Sequence, residues 1–174
     1  MKIAINGFGR IGRQALRIIK EKHPEMDVVL INDLTDTKTL AHLFEFDSTY
    51  GRAPFACVAG EGNITVNGDK IQVTALKDPS QLPLKDFKVD VMLECTGRFT
   101  KREEAAIHLK TGAKKVIISA PAKDSVDGTF CMGVNEDLYD AKTMDVISNA
   151  SCTTNCLAPM AKVLNDSFGI VSGL

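Results

Sequence analysis

The chain has 174 residues, the length of one domain or of one domain and part of a second, and a chain this long buries enough surface to fold without a disulfide or metal staple. Its 21 Lys and Arg against 22 Asp and Glu leave a formal net charge of −1, which excludes a general phosphate-backbone binder. With 44% hydrophobic and 25% charged residues and no low-complexity tract, the composition excludes a disordered chain. No apolar run approaches the ~20 residues of a membrane helix, so no membrane partner is expected. MKIAINGFGR turns to Gly and Arg too early for a signal peptide. The five cysteines, at 57, 95, 131, 152 and 156, are odd in number and predict free thiols in a reducing, cytoplasmic compartment.

In chain order, Ile3-Ala4-Ile5 predicts a short strand over 2–6, stopped by Gly7. Ile11, Ala15, Ile18 and Ile19 then mark the apolar face of a helix ending near Lys22, and the continuous apolar run at 27–31 reads as a strand covered on both faces. Residues 37–46 have helical spacing through Leu40, Leu43 and Phe44. Ile64-Thr65-Val66 and Ile71-Gln72-Val73 flank Asn67-Gly68, which predicts a type I′ hairpin inserted into an otherwise parallel pattern. A strand follows over 89–95. Thr100 and Glu103 have the spacing of a capping box opening a helix, and Gly112 is placed to end it in a left-handed conformation. Further strands are predicted over 116–119, 129–134 and 145–148, and a last helix over 151–167. Residues 169–174 begin a new apolar segment without a polar tail, so the chain reads as cut short.

Gly7-Phe8-Gly9-Arg10-Ile11-Gly12 is a G-x-G-x-x-G between a strand and a helix, and Asp33 closes the second strand, a little beyond the usual ~20-residue spacing. Gly7 would permit the tight turn, Gly9 the approach of a pyrophosphate to bare backbone, and Gly12 close packing of helix on sheet. The helix N-terminus offers unpaired amides to phosphate. Asp33 can accept both hydroxyls of an adenosine ribose and would repel a 2′-phosphate, which favours NAD over NADP. Thr96-Gly97-Arg98-Phe99 and Ser119-Ala120-Pro121, at later strand ends, are candidates for lining the cofactor.

Cys152 stands in Ser148-Asn149-Ala150-Ser151-Cys152-Thr153-Thr154-Asn155-Cys156, between a strand and a helix, where helix amides favour a thiolate. Spacing alone leaves two readings open, a nucleophile or a packed thiol beside a polar N-cap. Cys156, Cys57, Cys95 and Cys131 read as packing residues. The three histidines, His23, His42 and His108, are too dispersed for a metal site, and none is obviously placed as a base for Cys152.

INGFGRIGR at 5–13, the strand ending in Asn32-Asp33, FEFDSTYGR at 44–52, ECTGRFT at 94–100 and SNASCTTNCLAP at 148–159 resemble phosphorylating glyceraldehyde-3-phosphate dehydrogenases along the whole chain. The resemblance implies an α/β fold, a Rossmann-type, doubly wound, mostly parallel NAD domain over 1–149, followed by the beginning of a catalytic domain over 150–174. It implies that Cys152 attacks glyceraldehyde 3-phosphate, that hydride passes to NAD, and that inorganic phosphate cleaves the thioester to 1,3-bisphosphoglycerate. It further implies that Arg10 and Ile11 present backbone to the pyrophosphate, Asp33 holds the adenosine ribose, Lys77 meets the adenine side, and Ser119 lies near the nicotinamide ribose. Ser151, Cys152 and Thr153 would contact substrate, with the Cys152 amide helping to hold an oxyanion. The family's base histidine would fall beyond Leu174, so the 174-residue chain is expected to bind NAD without being a competent dehydrogenase. A homotetramer is implied for the full-length protein. Erythrose 4-phosphate dehydrogenase shares much of the pattern, and a non-catalytic NAD-binding module is the reading furthest from it.

Overall fold

A computed structural model describes residues 1–173. Strand β1 (Lys2–Asn6) leads through the glycine bend into α1 (Arg10–Lys22), then β2 (Asp27–Asn32) and α2 (Thr37–Glu45). A small ribbon, β3 (Phe46–Asp47) and β4 (Gly51–Arg52), precedes β5 (Cys57–Gly60), β6 (Asn63–Val66) and β7 (Asp69–Thr74). The second half runs α3 (Leu84–Phe87), β8 (Val91–Glu94), α4 (Arg102–Ala105), α5 (Ile107–Lys110), β9 (Lys115–Ile118), β10 (Gly128–Thr129), β11 (Val146–Ser148) and α6 (Cys152–Phe168).

Nine strands form one sheet in the order β10-β11-β9-β8-β1-β2-β7-β6-β5. All pairs from β10 across to β7 are parallel, and only β5–β6 and β6–β7 are antiparallel. From β1 the chain winds outward through β2 to one side, then returns to β8 on the other. The direction of winding therefore reverses between β1 and β8, where an open α/β sheet leaves a crevice at the carboxyl ends of its strands. The chain is an α/β protein of Rossmann type.

Alternation along the strands separates two cores. Ile3 and Ile5 face Leu16 and Ile19 of α1 and Leu40 and Phe44 of α2, whereas Ala4, Met92, Val116 and Ile118 face Leu84 of α3 and Ala105 of α4. The Asn67-Gly68 turn has φ of 51° and 89°, the double positive φ that the I′ reading requires. The hairpin is not a separate insertion, however. Its second strand, β7, pairs parallel with β2 and continues the main sheet.

Four local expectations are corrected. The buried face of α1 is Gly12, Leu16, Arg17 and Ile19, while Ile11 and Ile18 are exposed. Gly12 must lie against the sheet, which rotates the helix away from the face that the isoleucines suggest. Arg17 can be buried because its guanidinium donates to the Gly51 and Arg52 carbonyls at 3.0 and 2.8 Å. The cap lies one residue further on than the predicted capping box, and only its acidic half forms. Glu104 accepts from the Lys101 amide at 3.3 Å, the Arg102 amide is capped by Asp124 at 2.7 Å, and Thr100 is buried instead. The strand expected over 129–134 is only Gly128–Thr129, because the chain turns at Cys131–Val134 with Gly133 at φ 81°. Cys156, expected to pack, is exposed, and Cys57 and Cys95 are only half-buried, whereas Cys131 is buried.

Helix α6 opens with Ser151 as N-cap and has no buried residue; Leu157, Met160, Val163, Leu164 and Phe168 all stand exposed on it. Over 169–173, where the sequence suggests a new apolar segment, no helix or strand forms, and Leu174 lies outside the described residues.

Candidate functional site

A cleft of about 510 Å³ opens over the carboxyl ends of β1, β2 and β8, within the usual ~300–1,000 Å³ range for small-molecule sites. Gly7 and Gly9 form one side of it, Asn32, Asp33, Leu34, Leu76, Lys77 and Pro79 another, and Cys95, Thr96, Arg98 and Phe99 the wall opposite, with Asn6 in the floor.

The three motif glycines have different physical roles. Gly7 has φ +89°, and a Cβ there would lie 2.7 Å from the Thr96 amide nitrogen, so both conformation and space require glycine. At Gly12 a Cβ would fall 2.2 Å from the Gly7 carbonyl oxygen, which locks the first turn of α1 beneath the bend. A Cβ at Gly9 would meet no protein atom within 4 Å. Its space is the mouth of the cleft. Gly9 is also the N-cap of α1, whose first turn carries neither a side-chain cap nor an acidic residue. The unpaired amides and the positive end of the helix dipole thus face open space, as a bound diphosphate requires. Arg10 and Ile11, the next two residues, are exposed at this same end.

Asp33 is half-buried in the cleft and accepts from the Phe8 amide at 2.7 Å and the Thr35 amide at 3.0 Å. A carboxylate has about four acceptor positions, so capacity remains for the two hydroxyls of a ribose. Lys77 is exposed at the rim beside it. Thr96 lines the opposite wall. Ser119 does not line this cleft; it follows the adjacent β9, and its amide donates to the Glu94 carbonyl at 3.0 Å. Burial, against a lowering by Ser119 and with Glu94 adding to it, pushes the Cys95 thiol up to about 11. The residues present fit a dinucleotide whose diphosphate lies over Gly9.

The cysteine segment is held from beneath. Ser148 donates to the Ala120 carbonyl at 2.8 Å and accepts from the Ala150 amide at 3.1 Å; the Asn149 amide donates to the Ile118 carbonyl at 2.9 Å. Asn155 reaches back to the Asn149 and Ser151 carbonyls at 2.7 and 2.9 Å. These bonds force Ala150 to a left-handed φ of 58°. The Ser151 hydroxyl then accepts from the Thr154 amide at 2.9 Å, and Cys152 follows as the exposed first residue of α6, with exposed Thr153 beside it. Among the described residues the Cys152 thiol is not packed in a core.

No histidine hydrogen-bonds Cys152 among the described residues. His23 pairs with Glu25, His42 stacks on Phe46 with ring centroids 4.9 Å apart, and His108 meets Glu94. Sequence patterns did not single out Asn6, Asn32 or Glu94 as site residues. Each is a buried polar residue closing an apolar strand, and that pattern of three polar strand ends was the signal available.

Comparison with known proteins agrees with this geometry. Residues 1–102 match the family described as glyceraldehyde 3-phosphate dehydrogenase, NAD binding domain, and residues 151–174 match the C-terminal domain of the same enzymes. Over 174 residues the chain is 57% identical to the glyceraldehyde-3-phosphate dehydrogenase of Geobacillus stearothermophilus, covering 100% of this chain and 51% of that protein. It is 58% identical over 172 residues to the enzyme of Clostridium acetobutylicum, covering 99% and 51%, and 51% identical over 174 residues to that of Streptomyces coelicolor, covering 100% and 52%. The chain thus spans about half the length of the curated relatives it matches. With similarity of this depth along its whole length, the chain belongs to the glyceraldehyde-3-phosphate dehydrogenase family and carries the NAD-binding domain of that family, with NAD as its cofactor.

Proposed function

We propose that the chain supplies the NAD cleft and the nucleophile of a glycolytic, phosphorylating glyceraldehyde-3-phosphate dehydrogenase. The observation that carries this reading is the presence, at the carboxyl ends of the parallel strands, of both an open diphosphate cradle at Gly9 and an exposed Cys152 at the capped start of α6. Residues 1–149 act as the nucleotide domain, and residues 150–174 open the catalytic one. Gly7, Gly12 and the backbone of Gly9, Arg10 and Ile11 seat the diphosphate. Asp33 holds the adenosine ribose, Lys77 borders the adenine, and Thr96 and Ser119 lie toward the nicotinamide side.

In the reaction, the Cys152 sulfur adds to the aldehyde carbon of glyceraldehyde 3-phosphate, and its amide, with Ser151 and Thr153, steadies the oxygen of the resulting thiohemiacetal. NAD, when bound, supplies the acceptor for the hydride that leaves that carbon, while the hydroxyl proton goes to solvent. The acyl group stays on sulfur as a thioester until an oxygen of inorganic phosphate displaces the thiolate. Sulfur suits this role because a thioester conserves the oxidation energy that an oxygen ester would lose. With no histidine beside Cys152 among the described residues, the 174-residue chain turns over poorly by itself. The five free thiols suit a reducing cytoplasm, and the full-length protein works as a homotetramer.

The test is to incubate the chain with glyceraldehyde 3-phosphate and NAD without inorganic phosphate, quench in acid, where a thioester survives, and measure intact mass and NADH. The expected outcome is a substrate adduct on Cys152, absent in Cys152→Ser, with only trace NADH. Labelling elsewhere, or robust NADH production by Cys152→Ser, would overturn the reading.

A further inference from the structure

Beneath the cleft, Glu94 is 1% exposed and His108 fully buried. One oxygen of Glu94 accepts from the Thr96 amide at 2.9 Å and from the Thr96 hydroxyl, which in turn accepts from the Arg98 amide at 3.1 Å. The other accepts from Asn6 Nδ2 at 2.7 Å and faces His108 Nε2 at 2.9 Å. Four donors converge on one carboxylate, which fills its acceptor positions as an anion. His108 Nδ1 has no partner, so the ring carries its proton on Nε2, where the carboxylate receives it.

The same chain of bonds continues across the floor. Asn6 Oδ1 accepts from Asn32 Nδ2 at 2.8 Å; Asn32 Nδ2 also donates to the Leu76 carbonyl at 2.9 Å, and Asn32 Oδ1 accepts from the Leu76 amide and the Thr74 hydroxyl, each at 2.9 Å. Every amide in this series has one sense only. A neutral amide at position 94 keeps an acceptor on one side only: with its NH₂ toward Thr96 it meets the Thr96 amide, and with its NH₂ toward Asn6 Nδ2 and His108 Nε2 it meets two donors. In the latter case Asn6 would have to flip, Asn32 after it, and the flipped Asn32 would face Leu76 with donor and acceptor reversed. The Thr96 backbone fixed by Glu94 is also the surface that Gly7 packs against.

We propose that Glu94, as a carboxylate held by His108, is a positioning residue for NAD: it sets the donor–acceptor sense of the Asn6–Asn32–Leu76 series and holds the 95–99 wall against the glycine bend. This rests on the reading of the cleft as the NAD site.

The test uses the 174-residue chain, with NAD titrated by calorimetry and histidine nitrogen shifts recorded by NMR. In the wild type, Nε2 of His108 is expected protonated and Nδ1 bare. Glu94→Gln, which leaves a donor opposed on one side or the other, should weaken NAD binding by about tenfold or more. His108→Leu should weaken it too, and His108→Gln, whose amide can still donate to Glu94, should recover most of that loss. This pair decides the matter if Glu94→Gln does not fold. Glu94→Gln or His108→Leu that folds and binds NAD within about twofold of wild type, or a His108 ring protonated on Nδ1 in the wild type, would overturn the proposal. Gly9→Val separates the two claims: if it binds NAD as well as the wild type does, the site reading fails, and the tautomer measurement still judges Glu94.

Discussion

Gly9 and Gly12 stand three residues apart in the same motif, yet they answer to different forces. At Gly12 the obstacle is the protein itself, a carbonyl oxygen 2.2 Å from where a Cβ would sit. Gly12→Ala is therefore expected to destabilise the fold by about 3 kcal/mol, read as a lowered denaturant midpoint. At Gly9 no protein atom is within reach, so Gly9→Val should change stability by less than about 1 kcal/mol, while weakening NAD binding by about tenfold or more. The cysteines divide as sharply. Burial pushes the Cys57 thiol up to about 11, with Glu45 adding to the effect, and Cys95 is pushed equally far. A raised thiol pKa means less thiolate at any lower pH. Near neutral pH, alkylation followed by peptide mass mapping should thus label the exposed Cys152 and Cys156 and leave Cys57 and Cys95 unmodified. Early modification of Cys95 would contradict the packing described for the cleft wall.

Among the elements, the start of α6 stores backbone strain and its length lacks cover. Ala150 holds a left-handed φ of 58° because bonds from Ser148, Asn149 and Asn155 leave it no other course. A left-handed alanine costs roughly 1 kcal/mol, a penalty glycine avoids. Ala150→Gly should accordingly leave stability unchanged or raise it slightly, against the usual loss of about 0.5–1 kcal/mol for Ala→Gly inside an element. A thermal midpoint lowered by several degrees would show that the strain is not real. The elements also show what a sequence can and cannot disclose. Periodicity located α2, the Asn67-Gly68 hairpin and the strands flanking the glycine bend, because each is governed by local spacing. It misplaced the buried face of α1, since close approach of Gly12 to Gly7 is a tertiary demand that outweighs the isoleucine pattern. It also placed the capping box at Thr100, where burial of that side chain moved the cap to Lys101 and drew Asp124 from another segment. The positions of Gly7, Gly9 and Asp33 in the cleft and of Cys152 at a helix start were legible because a glycine bend, a strand-end acid and a Ser N-cap each have a fixed local spacing. Glu94 and His108 were not, because what joins them is a buried contact between β8 and α5.

For the molecule as a whole, the edge of the sheet at β10 and β11 is tied to α4 by a carboxylate as well as by packing. Burial works to raise the Asp127 carboxyl, but the Val146 and Asp145 amides and the Arg102 guanidinium outweigh it and hold it below the ordinary value of 3.8. A carboxyl lowered in the folded state adds stability that is present above its unfolded pKa and is lost as pH falls through the folded value. Thermal midpoints should therefore fall on acidification below about pH 4. Asp127→Asn should be less stable than the wild type at neutral pH by about 1–2 kcal/mol and show a shallower acid loss. Equal slopes would remove Asp127 from the account. The central claim, that NAD lies across the switch between β1 and β8 with its diphosphate over Gly9, is tested most directly by following backbone amide signals during an NAD titration. The expected result is that residues 7–12, 33–34 and 95–99 shift together and saturably, with NADP far weaker because of Asp33. Saturable binding that leaves those amides still and moves others would contradict it.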